Sequence, residues 1–490
     1  MFDPEPRPGL KRSSFRKICA NGFGDGNNGY AYSSAWFKDH LFIGTSRANL
    51  CMLKFIMPFV KIDIWPVDCP HLNYTPEFEH TMARAEMWRY SLIADDWKRC
   101  YRSPMIVDSD GVEFARDLGY RAMAVYQGES DPEPALYVAS QTRRRRPGPE
   151  LLRSVDGTTF EVLPKPRFES EDEERSVTAI RTLMPFKGRL FTAPTGSTKG
   201  SPNAAWSSLI YESTDPVAGT WRSVNDPGFD GPPDVATVYD LAVCHDHLYA
   251  GTAGLHGFQI WRTQAQGEPP YHWEKVVERG AGRGALNQGA VCMAGFKNAL
   301  YVGTGIQNGG HDHRYKIGPA AAEIVRIHED GHWDIVVGEA RDGKEAISGL
   351  GPGFGNFFCG YIWRMAIHDG WLYAGTMDWT VILRFSQLEK GAHRVSSRTL
   401  LQAGVEDFVR FQGGFDLWRT WDGENWLPVT RTGFDNPYNF GVRGIVPTPH
   451  GLFIGTANPF GPTVATWPRR DGPWSYQPNP EGGVEVWRGI

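Results

Sequence analysis

A short apolar strand ending near Gly-Thr recurs seven times along the chain, and no other feature constrains the fold as strongly. The copies are LFIGT (41–45), LYVAS (136–140), LFTAP (190–194), LYAGT (248–252), LYVGT (300–304), LYAGT (372–376) and LFIGT (452–456). Before each comes another apolar strand and a short polar turn, as in AWFKDH, MPFKGR, AVCHDH, AGFKNA, AIHDGW and VPTPHG; the second copy has the longer turn QGESDPEPA. Downstream lies a third strand, in EMWRYS, ELLRSVDG, LIYESTD, FQIWRTQ, EIVRIHEDG, FDLWRTWDG and VEVWRGI, and then a fourth, usually opened by an aromatic. Four antiparallel strands per repeat describe a propeller blade. The sequence therefore predicts an all-β, seven-bladed β-propeller, a single domain over residues 1–490.

The seventh repeat stops at VEVWRGI without a fourth strand. SFRKICANGFGD (14–25) lines up with NWLPVTRTGFDN (425–436), so the N-terminal strand is expected to complete the last blade and remove an exposed sheet edge. GFGDGNNG, GFGNFFCG and GFDNPYNFG repeat one another and read as blade connectors. The DG turns before the fourth strands read as turns in which Asp accepts backbone N–H bonds. In the sixth repeat both VILRFS (381–386) and FDLWRT (415–420) resemble a third strand. The segment between them carries Leu400, Leu401, Val405, Phe408 and Val409 at helical spacing, so a helical insertion over 387–413 is expected.

Composition agrees with this reading. Among 490 residues there are 56 Gly and 18 Trp, which suits many short strands, tight turns and indoles between sheets. A net charge of −5 gives no basis for nucleic acid or an anionic membrane as partner. The local exceptions are the basic run Arg143–Arg146 and the acidic run Glu169–Glu174. The start, MFDPEPRPGLKRSSFRK, has no apolar core of a signal peptide, and no stretch has the length of a membrane span. Seven scattered cysteines without a CxxC pair fit reduced thiols, and a cytoplasmic protein is expected.

In a blade the first strand lines the channel, and the material after Gly-Thr decorates the face where first strands begin. The longest excursions start there: 54–84, with Phe59, Trp65, Tyr74 and Phe78, expected to form a lid, 305–321, and 387–413. Counting back eight or nine residues from the Leu of each second strand gives Ser33, Arg181, Asp240, Cys292, Arg364 and Arg443; matching RAMAV to RMAI adds Arg121. Tyr30, Tyr32, Tyr120, Tyr239, Tyr361 and Tyr438 sit just upstream. Four arginines against one aspartate in a narrow channel suit an anionic or phenolate ligand. The same arginines can instead bond to carbonyls of neighbouring blades and to Asp240, as any buried charge must.

His311 and His313 form an HxH pair on this face, which would need further metal ligands such as His71, His80 or Asp378; a solvated loop is the expected reading. His245-Asp246-His247 reads as a turn on the opposite face. Asp378, two residues after Thr376, is a carboxylate where most repeats carry a small residue, and Arg47 occupies nearly the same place in the first repeat. Desolvation beside Trp379 would raise Asp378 towards the range of a usable base.

GFGDGNNGYAYSSAWFKDHLFIGTSR, GYIWRMAIHDGWLYAGTMDWTVILRF and GGFDLWRTWDG resemble the propeller of bacterial alkylating cyclases of the cylindrocyclophane type. The resemblance implies alkylation or cyclisation of an electron-rich aromatic without a cofactor. It places Asp378 and Thr376 at the site, with Arg47 stabilising a departing anion and Tyr438 assisting. The cyclases also carry a calcium-binding repeat domain that contributes to the site, and no GGxGxD repeat occurs here. The functional expectation is thus a cofactor-independent enzyme of specialised metabolism. It would act on a small aromatic or anionic substrate held by Arg121, Arg181, Arg364, Arg443, Asp240, Tyr32, Tyr361 and Trp379. The alternative is a non-catalytic propeller that binds a small ligand or a partner protein. A sialidase-like hydrolase fits less well, because those enzymes usually have six blades.

Overall fold

A computed structural model describes residues 8–56, 64–70, 75–143, 147–166, 168, 177–196, 203–205, 208–229, 235–385, 395–466 and 474–490. The protein is all-β and propeller-like. Among the described residues, 28 strands join into one hydrogen-bonded network. Its backbone is a series of antiparallel hairpins, each made of a first strand and the second strand that ends near Gly-Thr. The first strands are Asn28–Phe37, Gly119–Tyr126, Ala179–Phe186, Val235–Cys244, Gly289–Phe296, Cys359–His368 and Gly441–Thr448. Most of these hairpins turn on two residues of positive φ, such as Lys38–Asp39 at 45° and 57° and Lys297–Asn298 at 45° and 57°. That turn matches the right-handed twist of paired strands, which explains the polar KD, KG, HD, KN and DG pairs.

Each first strand packs against the first strand of the next repeat, and Gly441–Thr448 packs back against Asn28–Phe37. The N-terminal strand Phe15–Cys19 pairs antiparallel with Val486–Gly489 in the register Phe15↔Gly489, Arg16↔Arg488, Lys17↔Trp487. The third strand of the sixth repeat is Leu417–Thr420, whereas Thr380–Phe385 is a 3-10 turn. The helical insertion is present as Val395–Gln412; residues 387–394 lie outside the described residues.

The Gly-Phe connectors show why that dipeptide repeats. Phe23, Phe229, Phe354 and Phe434 all take a left-handed backbone, with φ between 59° and 64°. This turns each ring onto the indole of a third strand: Phe23 on Trp88 (4.8 Å), Phe229 on Trp261 (4.7 Å), Phe354 on Trp418 (4.5 Å) and Phe434 on Trp487 (4.4 Å). The stacked pairs fill the wedge between neighbouring repeats. The DG turns behave as read: Asp156 accepts from the N–H of Thr158 and Thr159, and Asp422 from those of Glu424 and Asn425. His245–Asp246 is likewise a hairpin turn.

A second core sits on the face where the first strands begin. Helix Asn49–Ile56, residues 64–70 and 75–83, the turn Thr380–Phe385, helix Val395–Gln412 and the ribbon of Thr463–Thr466 with Ser475–Pro478 converge there. They bury Leu50, Val67, Phe78, Met82, Val381, Phe385, Val409, Phe460 and Val464 in one cluster. Val67 bridges to Val464, the Ala465 N–H donates to the Pro66 carbonyl, and Cys51 is disulfide-bonded to Cys69. The cap thus ties the first repeat's insertion to the last. Phe59, His71 and Tyr74 of the 54–84 insertion lie outside the described residues, as do Arg144–Arg146 and Glu169–Glu174. The Cys51–Cys69 bond corrects the expectation of seven reduced thiols; Cys19, Cys100, Cys244, Cys292 and Cys359 are free. Spacing could not show it, because the two sulfurs meet only when the insertion folds back on its helix. Among the described residues no helix is long and apolar enough to cross a membrane.

Candidate ligand site in the central channel

The wall of one cavity is shaped by an irregularity repeated in every first strand. The pairing with the second strand slips between Ala31 and Ser33, Tyr120 and Ala122, Ile180 and Leu183, Val238 and Asp240, Ala290 and Cys292, Ile362 and Arg364, and Val442 and Gly444. Each slip is a β-bulge, which re-aims a side chain. The residues at the bulges are Tyr32, Arg121, Arg181, Tyr239, Val291, Trp363 and Arg443, and all seven line a cavity of about 190 Å³. Asp240 and Arg364, one residue further along their strands, line it too.

Three bulge arginines therefore share the cavity with three aromatic rings. The Arg443 guanidinium lies 4.8 Å from the centroid of Tyr32 and 5.2 Å from that of Trp363, its neighbours on either side. Arg181 stands 3.8 Å over Tyr239, and Arg121 5.6 Å from Tyr32. Cation–π contacts of this kind offset part of the desolvation of a guanidinium but leave its charge in place. Arg181 donates to the Tyr239 carbonyl (2.6 Å) and to Asn203 (2.9 Å), Arg121 to Asn203 (2.7 Å), and Arg364 to the Arg443 carbonyl (3.1 Å), all of them neutral acceptors. Among the described residues Arg443 Nε has no hydrogen-bond partner.

The electrostatics follow from crowding. Burial, with repulsion from Arg181 and Arg364, pushes Arg121 down to about 10. Arg443 is held well below its ordinary range by burial first and by Arg364, Arg121 and Arg181. Burial raises Asp240 despite Arg364 and Arg181, while the N–H of Met293 holds its carboxylate at 2.9 Å.

Of the residues expected to bind substrate, the structure brings Tyr32, Arg121, Arg181, Arg364, Arg443 and Asp240 together. Tyr361 and Trp379 do not line the cavity: the Tyr361 hydroxyl accepts from the Gly309 N–H, and Trp379 packs on Phe358. Trp363 and Val291 are not among the residues singled out from the sequence, and Tyr239 is named there only as an aromatic upstream of the channel positions. A constant count of nine before the second-strand Leu finds Tyr32, Arg181, Tyr239, Val291, Trp363 and Arg443; admitting eight or nine mixed two tiers of side chains.

The residues that the resemblance places at the reaction lie elsewhere. Arg47 is fully buried and committed to Asp25 (2.7 Å), Asn28 (2.9 Å) and the Thr81 carbonyl (2.8 Å). Asp378 accepts from Asn356 (2.8 Å) and from the Thr380 N–H (2.8 Å); burial pushes it up to about 7 against those two bonds. Thr376 accepts the Asp416 N–H at 2.8 Å, the bond that Thr45, Thr252, Thr304 and Thr456 make with Glu86, Gln259, Glu323 and Glu485. Tyr438 packs in the cap on Phe460. All four are joints within a repeat or parts of the cap, and none lines the cavity.

The HxH pair brings the His311 and His313 rings within 3.9 Å, but His80 is paired with Glu113 and Asp378 with Asn356. His71 is outside the described residues. Among the described residues no three His, Cys, Asp or Glu side chains are placed to hold a metal ion together.

No protein-family model and no curated protein matches the chain. Among solved structures it is similar to a GH74 xyloglucanase from Xanthomonas campestris, at 13% identity and a TM-score of 0.42, over 94% of this chain and 55% of that one. It is also similar to an α-L-arabinanase from Penicillium chrysogenum, at 9% identity and a TM-score of 0.40, over 76% and 94%. A GH43 endo-arabinanase from Bacillus licheniformis matches at 14% and 0.29, over 53% and 88%. The chain spans about half the length of the xyloglucanase. These likenesses are of a propeller-type fold alone. The named activities of these three are on sugars, and Asp378, Thr376, Arg47 and Tyr438 lie away from the cavity, so the expectation of aromatic alkylation or cyclisation is withdrawn.

Proposed function

We propose that the repeats close into a seven-bladed propeller, with Phe15–Cys19 as outer strand of the last blade, and that its channel mouth binds a small anionic molecule. One observation carries the binding reading: bulges aim Arg121, Arg181 and Arg443 at a common cavity, beside Arg364, with Asp240 the one carboxylate among the described lining residues. The guanidiniums of Arg181, Arg364 and Arg443, whose partners among the described residues are carbonyls, an amide and ring faces, retain charge that a bound anion would neutralise in low dielectric. The reading is one of recognition. Hydrolysis by paired carboxylates has no second acid among the described residues of this cavity.

The test is thermal unfolding in a chloride-free buffer of fixed ionic strength, titrated with acetate, phosphate or a dicarboxylate. A ligand that binds only the folded state stabilises it by about 2.7 kcal/mol at a hundred times Kd. Saturable stabilisation by an anion, lost in Arg443→Gln, is expected. A response that tracks ionic strength alone, or persists in Arg443→Gln, overturns the reading.

A further inference from the structure

We infer that the channel ligand carries at least two negative charges and a hydroxyl group, the class that includes hydroxy dicarboxylates and polyol phosphates; this rests on the anion-binding reading. Arg181, Arg364 and Arg443 stand in the third, sixth and seventh repeats, and Asp240 in the fourth. Among the described residues the partners of these three arginines are carbonyl oxygens, an amide oxygen and aromatic faces, none of which cancels charge. With Asp240 as the one carboxylate among the described lining residues, two cations stay uncompensated before Arg121 is counted. Repulsion among the arginines is already felt at Arg443. A monoanion neutralises part of this excess; a dianion matches it.

Asp240 sets the second requirement. It is partly exposed to the cavity, and its carboxylate is fixed by the Met293 N–H. An anion resting against a fixed carboxylate is repelled unless it presents a hydrogen-bond donor there, and a hydroxyl on the ligand supplies one. The volume of about 190 Å³ restricts the ligand to the size of a small metabolite.

Isothermal titration at constant ionic strength separates the requirements, with succinate, malate and lactate as one series and glycerol 3-phosphate and propyl phosphate as the other. Malate is expected to bind on the order of tenfold tighter than succinate and tenfold tighter than lactate. Asp240→Asn is expected to narrow the malate–succinate gap while strengthening succinate, a pair of changes that general loosening of the fold does not produce. The tighter of malate and glycerol 3-phosphate identifies which source of the shared chemistry is preferred. Equal affinity for malate and succinate, or lactate as tight as malate, overturns this inference and leaves the anion site standing. Failure of all five anions to bind overturns both. The wild-type ranking decides the matter even if the variant does not fold.

Discussion

Asn356 donates its side-chain amide to Asp378 at 2.8 Å, at the place in the sixth repeat where Asp25 meets Arg47 in the first. The pairs are related by position: Arg47 and Asp378 each stand two residues after the Thr of Gly-Thr, and Asp25 and Asn356 each stand three residues before a channel strand. In the seventh repeat Asn458 fills the first position and bonds to Asn439. One joint between a connector and a second strand is thus built from a cation in one repeat, an acid in another and an amide in a third.

The acid version makes stability depend on pH. Asp378 is pushed up to about 7 and Asp416 up to about 6, in both cases chiefly by burial. The fold favours their neutral forms, so the stability they contribute is complete below the unfolded value of about 4 and is lost as pH rises through about 6 to 7. Urea unfolding at pH 5 and pH 8 is expected to show the wild type less stable at pH 8. Asp378→Asn should remove on the order of 2–4 kcal/mol of that difference. An unchanged pH profile in Asp378→Asn would place the charge elsewhere.

Arg443 offers a prediction of opposite sense to most core substitutions. Its guanidinium is buried between Tyr32 and Trp363 among other arginines, without a carboxylate partner among the described residues. Replacing an uncompensated buried charge with an apolar chain of similar length is stabilising by roughly 1–3 kcal/mol. Arg443→Met is therefore expected to melt higher than wild type in anion-free buffer and to lose the response to added anion. Destabilisation without anion would mean that the arginine is a structural strut.

Much of the fold was legible because strand pairing imposes period and spacing on the sequence. The N-terminal strand was found from the match of SFRKICANGFGD to NWLPVTRTGFDN, and its pairing with Val486–Gly489 is the result. Helix Val395–Gln412 showed in its apolar spacing, though Phe408 proves 40% exposed while Val409 is buried. The site was half legible. Its arginines stood out as charges in channel strands, but a bulge adds one residue without changing composition, so Tyr239 and Trp363 were hidden among other aromatics. Asp378 and Arg47 looked functional because each departs from the residue common at its position. Their partners, Asn356 and Asp25, come from connectors whose positions only the fold relates.

The Cys51–Cys69 bond holds helix Asn49–Ile56 to residues 64–70 within the cap, and Trp363 of the channel packs against the same cluster. Closing a loop of 18 residues is worth about 3 kcal/mol in the chain-entropy account. Cys69→Ser, or reduction, is expected to raise hydrogen exchange in Asn49–Ile56 and in Thr463–Thr466, to which the insertion is bridged. Exchange in the hairpin Gly289–Gly305 should stay as in wild type. Equal acceleration in both regions would show that the cap is not a separate cooperative unit.

The last prediction concerns a repair. Asn28, Asn287 and Asn439 each donate a side-chain amide to the acid that opens a third strand, Glu86, Glu323 and Glu485. In the sixth repeat the corresponding residues are Cys359 and Asp416. The thiol donates instead to the Tyr361 carbonyl, and Asp416 keeps the Trp418 indole and Arg431 but has one oxygen, Oδ1, without a hydrogen-bond partner among the described residues. An acceptor left so in the interior costs about 1–3 kcal/mol. Aspartate is one methylene shorter than glutamate, so Cys359→Asn alone need not reach it. The double variant Cys359→Asn with Asp416→Glu restores both halves of the joint. It is expected to exceed the sum of the single changes by about 1–2 kcal/mol in a double-mutant cycle, and to lower the acid's pKa from about 6 towards the ordinary carboxylate range. Additive singles would show that the amide–acid bond seen in the other repeats has no counterpart to restore here, and that Trp418 and Arg431 already satisfy Asp416.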